Sequence, residues 1–309
     1  MPNRYRIPLS RTALAAIAAT LSACGGGTTT AGAAAEYVVM NAAIVDGRAV
    51  DGVEAEDEGF ATRSLAPAPR PDAPQSAQLS MATASDAWVT WPESLAANVP
   101  DADNEYTGTN QRLFWPGVNG ATKYENHSNC AGFVTRSLKQ AFNLDNAYFT
   151  AWMGSTGPSS ARYHDNIVAG NRFVQITRVG DIQRGDIVAI KYIDAGSGGT
   201  GHTMIAQGTP TARAVATKPI IANTVQYELR IIDSTSSPHG ATDTRRGTGP
   251  NGTDQDGAGF GTVRIYADAA GTIKGYTWSL STGSTYFTAT SPATDRRSLV
   301  VGRLGDLTQ

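Results

Sequence analysis

The sequence predicts an α+β domain with an antiparallel sheet, and three observations carry that reading. One strongly amphipathic segment runs from Cys130 to Phe142. A series of period-two segments follows it between Asp186 and Leu304, and Gly, Asp or Pro turns bound each of them. A helix ahead of a run of strands is the pattern of helices packed on one side of an antiparallel sheet.

The chain opens on a different kind of text. Residues 1–11 hold Arg4, Arg6 and Arg11 with no acid, and residues 12–23 are apolar or small. A charged stretch followed by so short an apolar one is a secretory signal rather than a membrane span. It ends Leu21-Ser22-Ala23-Cys24-Gly25, which resembles a bacterial lipoprotein signal cut before the cysteine. That resemblance implies a signal over 1–23, lipidation of Cys24, and attachment to the cell envelope. With Gly25 after the cysteine, it implies the periplasmic side of the outer membrane in a Gram-negative cell.

Residues 24–95 then read as a tether. They are rich in Thr, Ala and Gly, carry the Pro-rich spacer 65–75, and hold 3 basic against 10 acidic residues over 25–95. A short apolar patch at Tyr37–Val45 is the one candidate strand there. Aromatic residues return at Trp88 and Trp91, and the folded domain is placed at 96–309.

The whole chain has 309 residues, 25 Lys+Arg and 27 Asp+Glu, for a net charge of −2. So mild a balance excludes a protein whose main partner is nucleic acid. Two cysteines exclude a disulfide framework and any multi-cysteine metal site. His127 and His164 read as surface residues without paired spacing, so neither a metal nor another cofactor is expected.

The elements follow in order. In 130–142, Val134, Leu138 and Phe142 recur at i+4 beside Phe133 and Ala141, and Ser128 or Asn129 supplies the N-cap. A second helix is predicted over 159–170. Strands are predicted at 186–192, 202–207, 226–234, 262–267, 275–280 and 298–304, with 268–271 as a hairpin loop. Residues 236–261, rich in Gly, Ser, Asn and Asp, read as a solvated loop.

Three residues suggest chemistry. Cys130 sits at a helix N-terminus, where free amides and the dipole favour a thiolate, although a small buried residue fits the position equally well. His202 begins a strand after the Gly-rich loop 194–200. Asp233 closes another strand on the face of Leu229 and Ile231, where an acid needs a partner such as an imidazole. His239, six residues on, is the rival to His202. Trp278 and Tyr276 read as packing residues. Asp101–Glu105 and Asp254–Gly257 lack the glycine and distal glutamate of a calcium loop, and Arg184-Gly185-Asp186 reads as a strand start rather than an adhesion tripeptide.

Nucleophile on a helix, histidine on a strand and acid on the next strand resemble the papain-like NlpC/P60 family of cell-wall cysteine hydrolases. The matching text is Asn129-Cys130-Ala131-Gly132-Phe133-Val134, Arg184-Gly185-Asp186-Ile187-Val188 and Gly201-His202-Thr203-Met204-Ile205. Asn129 and Ala131 stand where the family usually has Asp and Ser. The resemblance implies a papain-like fold with the nucleophile helix packed on the sheet. It also implies a Cys130–His202–Asp233 amide hydrolase acting on peptidoglycan stem peptides, with Tyr124 and Asn129 near the oxyanion. Arg245 or Arg246 would then face a substrate carboxylate. A non-catalytic envelope lipoprotein that binds peptide or a partner protein on the same scaffold is the alternative, and acyl transfer would use the same three residues.

Overall fold

The computed structural model describes residues 87–193, 199–290 and 296–307. The signal, Cys24, the tether, the patch at Tyr37–Val45 and the core of the loop before His202 lie outside the described residues. Four helices are present among them: α1 (Thr90–Asn98), α2 (Cys130–Phe142), α3 (Asn146–Met153) and α4 (Ser160–Val168). None is long and apolar enough to cross a membrane.

Three short strands, β1 (Asn104–Glu105), β2 (Arg112–Phe114) and β3 (Glu125–His127), form a small sheet in the order β1-β3-β2. The large sheet holds β4 (Phe173–Ile176), β5 (Ile187–Tyr192), β6 (Gly201–Ala206), β7 (Thr211–Ala212), β8 (Val225–Thr235), β9 (Gly257–Ala267), β10 (Ile273–Thr277), β11 (Tyr286–Thr288) and β12 (Arg297–Leu304). Its order is β11-β10-β9-β8-β6-β5-β12-β4, with β7 beside β8, and its pairings are antiparallel. The architecture is therefore α+β, as the sequence predicts. The sheet curls: the Arg297 guanidinium on β12 lies 4.8 Å over the Phe287 ring on β11, bringing its far ends together.

Both faces of this sheet are buried, and strand alternation divides them. Ile187, Ala189, Ile205 and Ile232 face outward to Phe133, Val134 and Leu138 of α2 and to Tyr163 and Ile167 of α4. Val188, Ile190, Met204, Ile231, Ile265 and Val301 face into the curl.

Local signals account for the helices. Asn129 Oδ1 accepts the Gly132 N–H at 2.7 Å and Asn143 closes α2 in the left-handed conformation. Ser159 caps α4, which ends two residues short of the predicted span. Asp145 caps α3 by accepting the Tyr148 N–H at 2.8 Å. That helix, the small sheet, β4 and β11 carry too little periodicity to be read in advance. The domain boundary at 96 is too late. Trp88, Val89 and Leu95 are buried, and Glu93 pairs with Arg184 (Nε to Oε1, 2.9 Å), which ties α1 to the sheet and occupies the arginine of the adhesion-like tripeptide.

His164 corrects a further expectation. It is 2% exposed, with Nε2 2.9 Å from Ser298 Oγ and Nδ1 3.1 Å from Asp165, which also pairs with Lys191. Burial outweighs the neighbouring Asp165 and holds its pKa below the ordinary histidine value. A depressed folded-state pKa means that the unfolded chain takes the proton first. Stability should therefore fall as pH drops below about 6.5. Urea unfolding midpoints from pH 7.5 to 5 should fall less steeply in His164→Gln than in the natural chain; equal slopes would refute this assignment.

Candidate functional site

The sheet separates the predicted nucleophile from its predicted partners. Cys130 is fully buried at the start of α2, its Sγ 3.4 Å from Ser160 Oγ on α4, and Thr203 Oγ1 donates to that same Ser160 oxygen at 2.9 Å. Thr203 therefore points to the helix side, opposite Ala189 in register. His202, one residue earlier and opposite Ile190, points into the curl. Asp233 also points inward, because its neighbours Ile232 and Ser234 face the helix side, where Ser234 Oγ donates to the Ser128 carbonyl.

The expected Cys130–His202–Asp233 triad is thus not assembled, and only its second half forms. His202 Nε2 lies 2.6 Å from Asp233 Oδ2. The third member comes from the segment 236–256 instead. That segment is no solvated loop: it folds back across the inner face of β8 and β9 and delivers three buried polar residues, His239, Asp243 and Arg245. His239 Nε2 lies 2.8 Å from the same Asp233 Oδ2, while its Nδ1 lies 2.9 Å from the Trp278 carbonyl oxygen. Arg245 donates to Asp233 Oδ1 from Nη1 and Nη2, both at 2.9 Å. Its Nε and Nη2 also bond the two oxygens of Asp243, at 2.8 and 2.7 Å.

A glycine stripe makes room for this. Gly259 and Gly261 lie on the inner face of β9, opposite Asp233 and Ile231. A Cβ at Gly259 would stand 2.9 Å from Cγ of Arg245, and one at Gly261 would stand 2.9 Å from Asp243 Oδ2 and from His239 Cδ2. The first residues of β9 therefore look loop-like in sequence yet form strand, because only glycine lets the arm lie flat on the sheet.

Electrostatics follow from the packing. Burial pushes the Asp233 carboxyl upward, but Arg245 and the two imidazoles outweigh it and hold the group well below the usual carboxylate range. Burial works against a charged His239, yet Asp233 raises its pKa above the ordinary value. Trp278 packs its ring edge on His202 with centroids 5.4 Å apart. Its indole N–H is buried without a hydrogen-bond partner among the described residues.

The remaining predicted site residues lie elsewhere. Tyr124 is half-buried against the helix-side core. The Asn129 carboxamide accepts the Gly132 N–H as the cap of α2, so its oxygen is engaged in holding the helix. Arg245 faces carboxylates of its own chain rather than a substrate's, and Arg246 is exposed and paired with Asp254 at 2.7 Å. In the two acidic loops, Asp103 pairs with Lys123, Glu105 with His127 and Asp254 with Arg246. Among the described residues, His202, Asp233 and His239 present three ligand atoms within 4.8 Å of one another.

Over 210 residues the chain is 32% identical to an uncharacterized protein of Acanthamoeba polyphaga mimivirus, covering 89% of that protein and 66% of this chain. The chain belongs to that protein's family. No family model matches the sequence. No solved structure matches it either. The viral relative brings no activity with it, so the side chains of the two compartments are the basis for a functional reading.

Proposed function

We propose that this protein is an envelope hydrolase that activates water at the His202–Asp233–His239 centre instead of attacking with the Cys130 thiol. The observation that carries this reading is that two imidazole nitrogens converge on one carboxylate oxygen, while the sulfur lies across the sheet beside Ser160 and Thr203. A water nucleophile needs a group that withdraws its proton or polarises it, and clustered imidazole and carboxylate supply such groups. His202 and His239 keep 7% and 5% exposure where Asp233 has none, which makes the imidazole side the approach to the centre.

The packing of α2 against the sheet, with Cys130 at its first turn, is the one part of a papain-like, NlpC/P60-type arrangement that this reading keeps, since His202 and Asp233 lie on the other face. The lipoprotein-like leader supports anchorage through Cys24 on the periplasmic side of the outer membrane. Together these favour peptidoglycan stem peptides as the substrate class.

The test is product release from purified cell wall, read by mass spectrometry. Cys130→Ser, and the natural chain after iodoacetamide treatment, should keep activity, whereas His202→Ala should abolish it. Loss of activity in a folded Cys130→Ser chain would overturn the reading. So would full activity in His202→Ala, or a natural chain that releases nothing from the wall.

A further inference from the structure

We propose that the same cluster is a binding site for one divalent transition-metal ion of the zinc class, held by Nε2 of His202, Nε2 of His239 and Oδ2 of Asp233. This deepens the reading above, in which the chemistry resides at these residues, by naming what polarises the water.

The argument begins with His239. A carbonyl oxygen only accepts, so the 2.9 Å contact with the Trp278 carbonyl places a proton on Nδ1. A neutral ring then presents its Nε2 lone pair to Asp233 Oδ2, 2.8 Å away, and an ionised carboxylate is also only an acceptor. Either a second proton or a cation must stand between them. Nδ1 donating to a backbone carbonyl is how metal-ligating histidines fix the ring so that Nε2 can face an ion, and here Nε2 faces the place that an ion shared with Asp233 would take.

Asp233 is arranged the same way. Arg245 holds Oδ1 with both terminal nitrogens, which leaves Oδ2 for a single bond to an ion. Two carboxylates, Asp233 and Asp243, face one guanidinium, so one negative charge remains whenever both imidazoles are neutral, as they must be to ligate an ion. A divalent cation carrying one further anionic ligand would leave the centre neutral. Two imidazoles and one carboxylate match zinc, cobalt or ferrous iron and do not match the all-oxygen preference of calcium or magnesium. The Trp278 ring packs against both imidazoles, and its buried N–H, without a partner among the described residues, is the nearby donor this proposal assigns to that further ligand. Metal bonds of 2.0–2.1 Å separate tetrahedral donors by about 3.3 Å. The 2.6 and 2.8 Å contacts must therefore open by about 0.7 and 0.5 Å.

The full chain, stripped with a chelator, is dialysed against zinc or cobalt(II), and bound metal is counted by mass spectrometry. One ion per chain is expected, with visible cobalt bands of a low-coordinate site. His239→Ala and His202→Asn should each weaken binding at least tenfold, and His127→Ala should leave it unchanged. Where a variant does not fold, X-ray absorption on the zinc-loaded natural chain serves the same purpose. Two imidazole nitrogens in the first shell support the proposal; a sulfur ligand, or fewer than two imidazoles, overturns it. No uptake by the folded natural chain also overturns it, as does undiminished uptake in both folded variants. Metal uptake is read without turnover. Hydrolysis by a metal-free chain would sink this inference alone, and a metal-loaded chain that hydrolyses nothing would sink only the reading under it.

Discussion

Replacing Arg245 with Met is expected to cost about 3–5 kcal/mol of folding stability, the usual consequence of removing one partner from a buried charge cluster. The guanidinium is 2% exposed and is shared by Asp233, Asp243 and the Gly257 carbonyl. Its loss leaves two fully buried carboxylate side chains facing each other across the arm. Methionine fills part of the volume but supplies no donor. Arg246→Ala is the control: its side chain is 53% exposed and its pair with Asp254 lies at the surface, so a change within about 0.5 kcal/mol is expected. Guanidinium unfolding of the full chain measures both. Equal midpoints for the two variants would mean that the arm contributes little to holding the sheet.

Gly201→Ala should be nearly as damaging, at about 3 kcal/mol or more from backbone strain and overpacking combined. Gly201 has φ +147°, and a Cβ there would sit far inside van der Waals contact with the Ile190 carbonyl oxygen on β5. Neither the backbone nor that carbonyl can give way, because Lys191 and Ile190 pair with Gly201 and His202 in the ladder. The damage should also reach the centre, since His202 is the next residue. Gly208→Ala meets nothing within 4 Å and should be near neutral. Thermal unfolding compares the two, and a Gly201→Ala chain as stable as Gly208→Ala would contradict the reported backbone.

Much of this fold is legible because burial leaves a period. The i+4 row of α2 and its Asn129 cap, the hairpin at Asp268, and the strands β5, β8 and β12 all follow from spacing and turn chemistry. The His202–Asp233 pairing was readable for a similar reason, since an acid ending an apolar strand face must find a donor. What could not be read is which side of the sheet each group takes. All six residues of β6 are buried, so alternation carries no inside and outside, and His202 and Thr203 are equivalent candidates for the helix side. The arm reads as a solvated loop in sequence because His239, Asp243 and Arg245 are polar and aperiodic. Only the distant glycines of β9, themselves loop-like in composition, show that these side chains are buried. The boundary at 96 cuts through α1 because that helix is short and follows an acidic, low-complexity stretch of sequence.

The doubly covered β6 strand has one more implication, for descent. Sliding it by a single residue, roughly 3.4 Å, would set His202 where Thr203 stands, on the side of the thiol, and leave the carboxylate only Gly201. Two incompatible chemistries would then differ by one amino acid inserted or deleted ahead of Gly201. Homologues that share nearly all of this text could diverge completely in mechanism through a change in loop length alone.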